Sequence, residues 1–167
     1  MKSVRLSVLV LAVLCVCFFG YLTQTLPELP ATVATHFGGA GRPNGWMSHR
    51  GYAIFTGVFA VGVPALIVGS CALVGVMPKR TINIPHRDYW LAPERYRQTG
   101  ADMLRYGLWF ACLMVAFLGG VHWLIVEANR QSPAHLSPPA ILSLMAGFLV
   151  GLGLWMLTVV RRFRKPA

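Results

Sequence analysis

The chain has 167 residues, of which 56% are hydrophobic and only 12% charged, and its formal net charge is +10. That balance excludes an ordinary soluble domain of this size. The basic residues form no single run or stripe, which argues against a nucleic-acid binder.

Four long apolar runs organise the chain, at residues 6–26, 53–77, 103–126 and 140–160. Each is about 20 residues or longer, the helical length that crosses a bilayer core of roughly 30 Å. None contains a carboxylate. The expected fold is an all-α membrane protein. Four transmembrane helices form a bundle within one domain, 1–167, and a small folded outer loop follows the first helix.

The first run resembles a signal peptide in its basic start and apolar core. It is long for one and offers no small-x-small cleavage site, so it is expected to stay as an anchor. Cys15, Cys17, Cys71 and Cys112 all fall in the runs, where cysteine serves as a small apolar residue.

Residues 27–52 form the best-marked loop. Pro27 and Pro30 end the first helix. Residues 31–37 suit a short strand. Gly38, Gly39 and Gly41 permit unusual backbone angles, and Arg42-Pro43-Asn44-Gly45 has turn chemistry. Ser48 is placed to cap the next helix. A small hairpin over the membrane surface is one reading, and a mobile Gly-rich linker is the other.

The second run contains Pro64, which removes a hydrogen bond and predicts a kink. Residues 78–102 carry a basic loop in which Pro93 and Glu94 look like a helix start. That predicts one long helix from Pro93 through the third run. In the fourth run, Gly147 and Gly151 have the spacing that lets helix backbones approach, within the bundle or between copies. Trp109, Trp155 and Tyr106 are expected near one membrane interface. Tyr21, Trp46, Tyr52 and Trp123 are expected near the other.

Twelve of the fifteen Lys and Arg lie before the first run, between the second and third or at the mouth of the third (Arg105), or after the fourth; only Arg42, Arg50 and Arg130 lie in the other two loops. By the positive-inside rule both termini and the 78–105 segment are cytoplasmic, and loops 27–52 and 127–139 face outward.

The segment "LPELPATVATHFGGAGRPNGWMSHR" resembles the bacterial membrane family known as domain of unknown function 1648. That pattern has Ile-Pro-Thr-His-Phe, a stretch ending in Gly, Pro-Asp-Gly-Trp, then Ser and Lys. Thr35, His36, Phe37, Gly41, Pro43, Gly45, Trp46 and Ser48 match it. Val33-Ala34, Asn44 and His49 depart from it. The resemblance covers about residues 22–70. It implies a bacterial cytoplasmic (inner) membrane protein related to SdpI-like immunity proteins, which protect against a secreted toxin and can take part in signalling.

The functional expectation is a non-enzymatic membrane protein. Its partners would be the lipid bilayer and a peptide, toxin or other ligand at the outer face, in immunity or envelope signalling. The outer-face candidates are His36, Phe37, Pro43, Trp46, His49, Arg50, His122 and Asn129. His36 is expected to hydrogen-bond within the folded loop, to pin the loop to His122 or Asn129, or to join His122 in a metal site. No catalytic residue, metal or cofactor is assigned. The alternative is a small membrane enzyme or transporter acting through the 83–97 inner loop, with His86, Asp88, Glu94 and Arg95 as its polar groups.

Overall fold

The computed structural model describes residues 2–164, apart from the side chains of Lys2 and Ser3. Lys165, part of the last basic cluster, lies outside them. In chain order the elements are α1 (Lys2–Thr25), β1 (Thr32–Phe37), β2 (Pro43–Ser48), α2 (His49–Leu73), α3 (Arg87–Trp90), α4 (Pro93–Asn129) and α5 (Pro138–Arg162), with 3-10 turns at Leu26–Glu28 and Lys79–Thr81.

The helices α1, α2, α4 and α5 are each long and apolar enough to cross a membrane, so this is a multi-pass membrane protein. The helix α2 starts four residues before the expected run and ends four before its close. Ser48 explains the start, because its hydroxyl accepts the Gly51 amide at 3.1 Å and caps the first turn. Beyond Leu73 the chain turns through Val74–Met77, where the Tyr96 hydroxyl reaches the carbonyls of Val74 (3.0 Å) and Met77 (2.9 Å). Those carbonyls lie past the helix end and need an outside partner. Pro64 lies inside α2.

The long helix expected from Pro93 is present, with 37 residues. At 1.5 Å per residue it is about 55 Å long, well beyond a core of about 30 Å. It is the hub of the bundle, since α1, α2 and α5 all pack on it. Close approach is set by small residues. A side chain at Gly107 would strike Cys71 of α2, and one at Gly120 would strike Leu144 of α5. Gly151 receives Leu113 in the same way, whereas Gly147 meets nothing within 4 Å. The Gly147–Gly151 spacing is therefore half used, and the matching recess lies on α4 at Gly120. The helix α5 buries no residue fully and, of the spanning helices, packs chiefly on α4.

The loop after α1 is folded. Strands β1 and β2 pair antiparallel, with Thr32 opposite Ser48 and Ala34 opposite Trp46, and a register irregularity follows between Ala34 and His36. The reversal is not at 42–45 as the turn chemistry implied. It lies at Gly38–Arg42, closed by Gly41 N–H to Gly38 O (2.8 Å) and Gly38 N–H to Arg42 O (2.9 Å). Gly41 has φ +77°, and a Cβ there would lie 2.1 Å from the Leu136 carbonyl. Only glycine fits both conditions. Pro43-Asn44-Gly45 is strand, which Pro tolerates as a first residue.

Candidate functional site

An isolated two-stranded hairpin is marginal in water, so what holds this one defines the site. The Asn129 side chain, at the end of α4, acts as a substitute strand. Its Oδ1 accepts the Ala34 amide at 2.8 Å, and its Nδ2 donates to the Ala34 carbonyl at 2.9 Å. It thereby satisfies both backbone groups that Ala34 turns away from β2. The Leu136 amide donates to Gly41 O at 2.9 Å, and His135 Nε2 lies 3.1 Å from Ala40 O, fixing the tip. At the base, the His49 amide donates to Ala31 O and its Nδ1 lies 3.2 Å from Leu29 O. Arg130 pairs with Glu28 and Glu127, joining the end of α1 to the end of α4. The hydrogen bonds that Arg130 donates to Glu28, more than any other contact, raise the Arg130 pKa.

Beneath the hairpin lies a small core of Leu29, Val33, Tyr52, Ile125 and Val126, with Phe37 and Met47 packed against it. His122 is 1% exposed and stands just below. The Thr25 hydroxyl donates to the Tyr21 carbonyl at 2.8 Å, so toward His122 it accepts. His122 Nε2 lies 2.8 Å from Thr25 Oγ1, and Nδ1 lies 2.6 Å from the Tyr52 hydroxyl. The hydrogen-bond network therefore assigns a neutral imidazole with the proton on Nε2 and Nδ1 accepting from Tyr52. Both ring nitrogens are satisfied, as a polar group at this depth requires. Beside the ring is a cavity of about 120 Å³, walled by Phe18, Met47, Phe55, Phe59 and Val121 and reached by Thr35 and Thr56.

The candidates separate into two groups. Phe37, His49, His122 and Asn129 build and lock the cap. His36, Trp46 and Arg50 are exposed on it, with Trp46 at 55%. Pro43 opens β2 opposite Phe37.

His36 does not pin the loop to His122 or Asn129. Its Nδ1 makes the alternative expected bond within the folded loop, to Asn44 across the hairpin, while His122 bonds Thr25 and Tyr52. Alternation explains this, since a side chain on the outward face of β1 cannot turn toward the bundle. The pinning role falls to Asn129 on the Ala34 backbone. Among the described residues, no three His, Cys, Asp or Glu side chains gather as a metal site would need. Sequence reasoning missed Thr25 and Tyr52 as parts of the site, and gave no sign that His135 meets the hairpin tip. The aromatic-belt pattern places Tyr52 at the lipid interface, yet it is buried with its hydroxyl on His122. Ser48 as a cap was a usable signal, because it places Tyr52 in the first turn of α2.

The opposite end of α4 holds a second polar cluster. Asp102 is only 4% exposed. Its Oδ2 accepts from Arg162 Nε (2.9 Å) and Nη2 (2.6 Å), and Arg105 Nη2 lies 3.4 Å from Oδ1. Arg162 also covers the Trp90 ring, and Trp90 Nε1 donates to Phe163 O at 3.2 Å. This cluster ties the loop before α4 to the end of α5. By contrast, His86, Asp88, Glu94 and Arg95 of the 83–97 loop are all exposed. They share no hydrogen bond or ion pair with one another among the described residues.

The comparisons address one part of this architecture. Residues 11–60 match the family model described as Domain of unknown function (DUF1648). The match covers most of α1, the whole hairpin and the first half of α2. It begins and ends earlier than the 22–70 read from the motif. No curated protein and no solved structure matches the chain. The family-matched segment supplies Thr25, the hairpin and Tyr52, whereas His122 and Asn129, which complete the site, lie outside it.

Proposed function

We propose that the hairpin is a recognition platform for a peptide or protein ligand on the outer side of a bacterial inner membrane, in immunity or envelope signalling. The observation that carries this reading is a β-ribbon fixed at its tip, edge and base that still presents a half-exposed Trp46 beside the His36–Asn44 pair. Ordering an exposed ribbon costs conformational entropy. Fixing it in advance removes that cost from a binding event. Exposed tryptophan is a common anchor of protein recognition. The resemblance to SdpI-like immunity proteins supports a toxin-like peptide as the ligand.

Under this reading the chain has no catalytic role. Both termini are cytoplasmic, in keeping with the basic residues beside α1, α3, α4 and the end of α5.

A strain lacking the protein, screened against secreted antibacterial peptides, tests the proposal. Wild type should restore resistance to at least one peptide. A Trp46→Ala variant present at the same level in the membrane should not. Equal protection by both would remove the hairpin from recognition.

A further inference from the structure

At the end of the bundle opposite the hairpin, α1 and α4 leave a recess of about 360 Å³ lined by Val4, Arg5, Gln98, Asp102, Leu104 and Arg105. Its charges do not cancel. Asp102 is its single carboxylate, and Oδ2 is taken by both bonds from Arg162. Its Oδ1 receives Gln98 Nε2 at 3.3 Å and Arg105 Nη2 at the longer 3.4 Å. Arg5 is exposed and has no ion pair among the described residues. With Arg162 matched to Asp102, two guanidinium groups remain at one recess. The start of α1, the positive end of its dipole, is at the same mouth.

The recess also lies at a defined depth. Twenty residues of α4 separate Asp102 from His122, or about 30 Å of helix, the thickness of a hydrocarbon core. Asp102 thus lies about one core thickness along α4 from the junction beneath the hairpin, beside the basic loop that precedes the helix. Val4 and Leu104 give the recess apolar walls, and α1 continues outward from it with exposed Val8 and Leu9. A free anion has no use for such walls, but an acyl chain does.

We propose that this recess binds the phosphate group of an anionic membrane lipid. Arg5 and Arg105 hold the phosphate, the Gln98 amide lies beside it, and the acyl chains run along Val8 and Leu9. Basic pockets between spanning helices bind phosphorylated headgroups by this combination of charge and depth. Asp102 does not repel the lipid, because Arg162 neutralises it and holds it to the α5 side.

The test is native mass spectrometry of the full chain with equal amounts of phosphatidylglycerol and phosphatidylcholine. Wild type should retain phosphatidylglycerol preferentially. Arg5→Gln should weaken that retention about fivefold, the effect expected of one basic residue near an anionic headgroup. The double variant Arg5→Gln/Arg105→Gln should weaken it further. Arg5 makes no ion pair among the described residues, so Arg5→Gln should keep the wild-type melting temperature and leave the loss attributable to charge. Arg130→Gln, at the hairpin end, should change nothing. The proposal is overturned if Arg5→Gln retains lipid as wild type does. Equal retention of the two lipids also overturns it, as does displacement of the lipid by millimolar inorganic phosphate.

Discussion

The two ends of α4 solve the same problem with different chemistry. Each carries a buried polar side chain that ties neighbouring segments together. At the hairpin end it is His122, neutral, between two hydroxyls from α1 and α2. At the other end it is Asp102, paired with two guanidinium groups. The neutral junction needs no counter-charge and can sit against an apolar cavity. The charged junction lies near the loops and gathers more positive charge than it cancels. A hydrogen-bonded neutral group costs little to hold inside a membrane protein, whereas a charge must be paired or near water. One end is thus suited to a built apolar cap, and the other to contact with anionic headgroups.

The comparison breaks outright if the two ends face the wrong compartments. Alkaline phosphatase fused after residue 40 or 133 should be active, and fused after residue 90 inactive. Activity at residue 90 would place the basic end outside and reverse the assignment. The next largest effect is expected at Asp102. Asp102→Ala leaves Arg162 and Arg105 facing each other without a carboxylate. It should destabilise the protein by about 3 kcal/mol, the low end for a broken buried pair, because both heads keep partial access to water. Thermal unfolding in detergent measures this, and an unchanged midpoint would show that the pair adds nothing.

At the hairpin end the effects should be smaller and local. Gly41→Ala places a Cβ against the Leu136 carbonyl in a left-handed backbone, so the tip must detach. Hydrogen exchange should then rise at the amides of Gly38, Gly41 and Leu136, with the Asp102 region unchanged. Wild-type protection at those amides would mean the tip tolerates the side chain. The smallest expected change is Tyr52→Phe, which removes one hydrogen bond and leaves His122 Nδ1 without its donor. A loss of about 1–2 kcal/mol is expected. If His122 instead finds water in the adjoining cavity, the loss should be near zero, and the two melting curves distinguish these outcomes.

Much of the fold was legible because a bilayer imposes simple demands. A run of apolar residues without carboxylates has one stable solution in lipid, a helix that satisfies its own backbone. Pro93 and Glu94 marked a helix start through local chemistry alone, and the Ser48 cap did the same. The turn at 38–42 was misplaced because Arg42-Pro43-Asn44-Gly45 satisfies turn rules as well as three nearby glycines do. What decided between them was Leu136, nearly a hundred residues later, whose carbonyl leaves room only for glycine at position 41.

The sequence by itself therefore determined the spans, the long helix from Pro93 and the charge asymmetry. Each depends on neighbours within a few turns of the chain. The tertiary structure alone decided that Thr25, Tyr52 and His122 meet, that Asn129 rather than His36 holds β1, and that Asp102 is enclosed by Arg162. Those contacts join residues 60 to 97 positions apart. Their partners are chosen by which helix faces pack together, and no local pattern of residue types encodes that choice.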